Sequence, residues 1–199
     1  MGSQYKPSNM DGVATVSNVK VVESSKRVMF KSSDVMLRIL GFSLTFIAAI
    51  VVGVDKETQI VSFTLAETMP SVQVSVTAKW QFMSAFVYFL VSNAIASSYA
   101  ALSLAFTLAI TRFHNNAALG LIMLDLITMG LLFSANGAAM AIGMIGLKGN
   151  SHVHWNKVCN VFGGFCRNFT AALVLSILGS FAFLFLVAVA ILNLHKRSQ

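Results

Sequence analysis

The 199-residue chain is 56% hydrophobic and only 11% charged, with a mean hydropathy of +0.76. Soluble domains carry about 25% charged residues, so this chain lacks the polar groups to wet a globule's surface, and its two prolines argue against a disordered or fibrous protein. Its net charge of +7 does not point to nucleic acid, because the basic residues border apolar runs, where membrane topology accounts for them.

Residues 1–34 are polar and serine-bearing, without helical periodicity, and are expected to form a disordered cytosolic tail. No apolar stretch closely follows Met1, so a cleavable signal peptide is not expected. The first span, residues 35–54, then serves as its own insertion signal. Lys26, Arg27 and Lys31 precede it and Asp55, Lys56 and Glu57 follow, which places the N-terminus in the cytosol. The same basic residues beside Ser24, Ser25, Ser32 and Ser33 also suit a phosphate-switchable patch on anionic lipid, although a topogenic role suffices.

In the following loop, Val61, Phe63 and Leu65 alternate with polar residues, as do Val72, Val74 and Val76, with a break at Met69-Pro70. The pattern predicts two short strands, a small hairpin on the outer membrane face, against the alternative of an irregular valine-rich loop. Further spans are expected at 82–110, 117–147 and 169–194. Each reaches the roughly 20 residues that a helix needs to cross the hydrocarbon. The turn at 111–116 makes spans two and three a tight hairpin. The fold class is an all-α four-helix transmembrane bundle over 35–194, with a cytosolic C-terminal tail at 195–199. Lys148, Lys157 and Arg167 in the second outer loop narrow the charge asymmetry behind this orientation.

Two charges lie inside the spans, Arg38 in the first and Asp125 in the third. A charge near mid-membrane costs about 2.5–3.5 kcal/mol on insertion scales. From the run boundaries Arg38 lies about 4 Å deep and Asp125 about 12 Å, at 1.5 Å per residue. Arg38 could snorkel to the headgroups; helical spacing instead favours an ion pair inside the bundle. Arg38 shares a face with Gly41, Thr45, Ala49 and Gly53, and Asp125 with Thr128, Asn136, Ala139 and Gly143. Span two repeats the small-residue pattern at Asn93, Ser97, Ala101, Ala105 and Ala109, and span four at Ala172, Ser176 and Ser180. Such faces let helix backbones approach closely in lipid. An ion pathway is the other use of such charges, but one acid and one base make a poor relay, and the Gly/Pro-broken helices of transporters are absent.

Cys159 and Cys166 flank six residues of the second outer loop, and on an oxidising side they most simply form a disulfide. With His152 and His154 they could instead hold zinc, which the His-x-His spacing and the oxidising side disfavour. Asn168-Phe169-Thr170 is a glycosylation sequon, set too close to the fourth span for use. Trp80 and Trp155 read as interfacial anchors, and the 16 phenylalanines, several within Phe181 to Phe185, as lipid-facing bulk. Phosphate loops, nucleophile elbows, zinc-protease motifs and paired intramembrane carboxylates are all missing from the sequence. No enzyme, cofactor or metal is expected; the rival to an assembly protein is a small channel, transporter or accessory subunit.

Four stretches carry a family resemblance: VMLRILGFSLTF around Arg38, AKWQFMSAFVYFLVSNAIASSYAALSL from Ala78, LDLI around Asp125, and HVHWNKVCNVFGGFCRNF around the cysteines. From about Val35 to its end the chain resembles the Casparian strip membrane protein-like (CASP-like) family of plants, distant relatives of the MARVEL four-span proteins. The resemblance implies a plasma-membrane protein with both ends cytosolic. It implies homodimers or hetero-oligomers with related four-span proteins, in the bilayer and without nucleic acid. In the founding members such assemblies form a scaffold that positions wall-modifying enzymes for lignin deposition. Here SVQVSVTA stands where those members carry an extended loop signature, and group 1 of the CASP-like proteins is the better match.

Overall fold

A computed structural model describes residues 11–63, 72–109, 115–149, 152 and 157–198. Leu65, the Met69-Pro70 break, Arg112, His154 and Trp155 lie outside the described residues, as do the side chains of Lys26, Arg27 and Lys31. The chain divides into two compact units, residues 1–36 and 37–199.

Helix α1 runs Asp11–Val54, so helix is present where the sequence reading expects a tail without it. Residues 13–40 contain neither glycine nor proline. Once the apolar span is helical, each added residue gains a backbone bond without a new nucleus. The helix ends where Asp55 N–H turns back to Val52 O (3.3 Å) and Trp80 Nε1 donates to Gly53 O (3.1 Å).

Strands β1 (Lys56–Phe63) and β2 (Val72–Lys79) pair antiparallel, with Lys56 opposite Lys79 and Gln59 opposite Val76. The hairpin expected from alternation is therefore present, and β1 starts five residues before Val61. Its first residues are polar for two reasons: Lys56 and Thr58 meet solvent, where the Thr58 and Thr77 hydroxyls pair at 3.0 Å, while Glu57, on the face where Val76 and Ala78 pack against the bundle, accepts a helix N–H.

Helices α2 (Ser84–Ala109), α3 (Asn115–Lys148) and α4 (Gly163–Ser198) complete the bundle. Among the described residues, four segments are long and apolar enough to cross a membrane: Ser32–Val54, Ser84–Ala109, Leu119–Lys148 and Gly163–His195. The fourth starts six residues earlier than hydropathy placed it, because the polar Arg167 and Asn168 ride on its exposed first turns. It also continues through residues 195–198, which the sequence reading set apart as a tail. Helix α3 stops at Gly149, whose φ of 72° suits a glycine and lets its N–H reach Ile145 O (2.8 Å).

Among the described residues, two buried clusters fill the bundle. Near the hairpin, Phe86, Phe89, Phe162, Phe165 and Phe169 interlock, with the Phe86 and Phe169 rings 4.2 Å apart. Farther along, Leu132, Phe183 and Leu186 pack with Ala96 and Ala100. This corrects the reading of the phenylalanines as lipid-facing bulk: Phe181 and Phe185 are exposed, but Phe183 between them is fully buried beside Gly41 and Tyr99.

The small-residue faces also need correction. Gly41, Thr45, Asn93, Ser97, Asn136 and Ala139 are buried, Ala49 and Gly143 are half-buried, and Ala101, Ala105 and Gly53 are exposed. Each four-residue step turns a helix about 40° past a full turn. From Asn93 to Ala105 the drift reaches about 120°, which carries Ala105 out of the bundle. The true inner faces alternate steps of three and four: Arg38, Gly41, Thr45, Ala48 and Val52 on α1, and Asn93, Ala96, Ala100, Ser103 and Thr107 on α2.

Candidate functional site

One buried polar group joins three helices. Arg38 Nη2 donates to Asp125 Oδ2 at 3.0 Å and Nη1 to Oδ1 at 3.2 Å, a two-pronged contact between α1 and α3. Only 5% of the arginine side chain and 1% of the aspartate side chain are exposed. The arginine fork matches a carboxylate in geometry as well as charge, which lysine would not. From α2, Ser103 Oγ accepts from Arg38 Nη1 at 3.0 Å, and Tyr99 OH donates to Asp125 Oδ1 at 2.7 Å. Ser103 and Tyr99 are one turn apart, so a single helix face serves both charges.

Arginine keeps its proton under any ordinary condition, and both aspartate oxygens are occupied by donors. Sequence reasoning singled out the two charges but missed Tyr99 and Ser103. The available signal was a tyrosine, with a serine one turn on, within an otherwise small-residue stretch of span two.

At the hairpin end a second polar group forms. Cys159 and Cys166 are joined as a disulfide with their Cα atoms 5.6 Å apart, so neither offers a thiolate to a metal. It ties the short 3-10 turn at Val158–Asn160 to the first turn of α4. Glu57, from β1, accepts the Phe165 N–H at 2.6 Å and so caps α4 from the first loop. Gly164 permits this, since a Cβ there would lie 3.2 Å from Glu57 Oε2. Asn168, the sequon residue, donates from Nδ2 to Asp55 Oδ1 at 3.1 Å.

The cap has a pH signature. The Phe165 N–H, then Gln59, hold the Glu57 carboxyl below its ordinary value of 4.5. Asp55 is pushed up, chiefly by burial, with the Asn168 bond opposing and the Glu57 charge adding. A lowered folded value means that the Glu57 contribution is complete above 4.5 and fades as pH falls through the folded value. Asp55 has the opposite sign. Amide exchange at Phe165, corrected for its intrinsic rate, is expected to accelerate below that pH, and Glu57→Gln to flatten the dependence. Unchanged protection of Phe165 in acid would refute the cap.

Among the described residues, four apolar helices, with a small hairpin between the first two and a buried ion pair inside, define a multi-pass membrane protein. The chain is 58% identical over 202 residues to CASP-like protein 1E1 of Vitis vinifera, covering 100% of this chain and 99% of that one. It is 50% identical over 179 residues to CASP-like protein 1E2 of Vitis vinifera (90% of each), and 52% identical over 166 residues to CASP-like protein 1E1 of Glycine max (83% and 88%). The family model for the Casparian strip membrane protein domain matches residues 27–191. The chain belongs to the CASP-like family, group 1. No solved structure matches it.

Proposed function

We propose that the protein is a non-catalytic plasma-membrane scaffold that associates with itself and with related four-span proteins, both termini in the cytosol. Through those contacts it organises a membrane domain linked to wall-modifying enzymes. The observation that carries this reading is the outward surface of α2 and α3. Ala94, Ser98, Ala101 and Ala105 are exposed at helical spacing on α2, as are Gly130, Ser134, Gly137 and Ala141 on α3. A Cβ at Gly130 or Gly137 would meet nothing within 4 Å. Small residues facing lipid cost contact with the acyl chains but allow another helix backbone to come close. Inside the bundle, the polar groups serve closure: the ion pair holds α1 to α3, and the disulfide and the Glu57 cap hold the loops to α4.

The test uses bulk on the outward face. Ala101→Leu with Ala105→Leu, and separately Gly137→Leu, are expected to reduce chemical cross-linking between copies in membranes several-fold. Thermal unfolding of the detergent-solubilised variants should match wild type, because these positions face outward. Undiminished cross-linking in both variants would reject this surface and, with it, the main support for a scaffold.

A further inference from the structure

Midway along α2, α3 and α4 lie buried polar atoms without a hydrogen-bond partner in the protein. Asn93 Oδ1, Asn136 Oδ1, Ser92 Oγ and Ser176 Oγ have no hydrogen bond within the protein. Their residues are between 0% and 3% exposed. Rotating the amides would not help. Asn93 Nδ2 already donates to Phe89 O at 2.9 Å and Asn136 Nδ2 to Ser180 Oγ at 2.9 Å, so a flip would set oxygen against oxygen at Asn93 and leave a donor unmet in its place.

Contacts between the helices set the four residues within about two turns of one another along the bundle. Ser180 Oγ, the acceptor for Asn136, itself donates to Ser176 O one turn away at 2.8 Å. Helices α2 and α4 run the same way, with the Phe89 ring against Phe169 and the Tyr99 ring against Phe183. Those two contacts set Asn93 level with residues 173 to 177 of α4, which bracket Ser176. One helical turn from Asn93, Asn136 and Ser176 stand short side chains, Ala96, Ala139 and Ala172, all fully enclosed. The phenylalanine cluster closes the level toward the hairpin, and Leu132, Phe183 and Leu186 close it toward the ion pair.

In hydrocarbon an unmet acceptor has no solvent to turn to, and native proteins place water on such groups. We propose that this level is an internal water site: bound water donates to the two amide oxygens and exchanges hydrogen bonds with the two serine hydroxyls, sealed from both membrane faces. Amide oxygens could also hold a cation. Asp125, the buried carboxylate among the described residues, is committed to Arg38 about 16 Å farther along α3, at 1.5 Å per residue, and would leave that charge unbalanced. The inference stands on the interior alone and does not depend on self-association.

Solid-state NMR of the full chain in lipid nanodiscs tests it, reading magnetisation transfer from water to the Asn93 and Asn136 side-chain amides. The expected result is transfer at least threefold above that at the backbone amide of buried Leu132. Ser176→Ala, which barely alters shape, should weaken transfer to Asn136 at least twofold. Asn93→Leu should remove its own signal; should that variant fail to fold, the wild-type and Ser176→Ala spectra still decide. Transfer at both amides no stronger than at Leu132 would overturn the proposal. So would amide shifts that move when potassium and sodium are replaced by N-methylglucamine, since the ligand would then be a cation.

Discussion

Asp125→Ala is expected to cost about 3–5 kcal/mol, the usual penalty for removing one partner of a buried ion pair. For a chain of this size that corresponds to a fall of about 10 °C in unfolding temperature in detergent. Arg38 would keep Ser103 Oγ as an acceptor, at 3.0 Å, with its charge enclosed in the bundle and its carboxylate partner gone. Tyr99 would also lose its 2.7 Å acceptor. Arg38→Met combined with Asp125→Leu should recover most of the loss, because apolar replacement of a whole buried pair is often neutral. The charge swap, Arg38→Asp with Asp125→Arg, should recover part of it. If neither double variant exceeds the single ones, the two residues act separately and the pair does not hold α1 to α3.

The second large effect is expected at Gly179→Ala. A Cβ there would lie 2.9 Å from Thr45 Cγ2 and 3.5 Å from Leu44 Cβ. Thr45 cannot easily give way: it is fully buried and its hydroxyl donates to Gly41 O at 2.8 Å. Overpacking of this kind costs about 1–3 kcal/mol, here by forcing α1 from α4. Thr45→Ser removes the clashing methyl and keeps the hydroxyl, so it should rescue Gly179→Ala in thermal unfolding. Gly137→Ala, at an open position, should change little. A Gly179→Ala protein as stable as wild type would mean that these helices are not in close contact.

How much of this was legible in the chain follows from the range of each interaction. Spans and hairpin come from local hydropathy and alternation, which depend on neighbouring residues. The two charges stand out because a span tolerates few, so Arg38 and Asp125 mark themselves by rarity. Inner faces are harder, because a four-residue repeat and a three-four alternation share their first members. Gly41 and Thr45 on α1 fit both, and only the drift at Ala49 and Gly53 separates them. Phe183 is chemically like Phe181 and Phe185, and only the bundle decides which one turns inward. The Glu57 cap on Phe165 spans 108 positions, beyond any local pattern.

Self-association is measured most directly by labelling the full chain with one fluorophore and counting photobleaching steps of single particles in native plasma membrane while tracking them. Multi-step bleaching of slowly moving particles, converted to single-step, faster ones by Ala101→Leu with Ala105→Leu, is the expected result. Single-step bleaching of freely diffusing wild-type particles would contradict the scaffold.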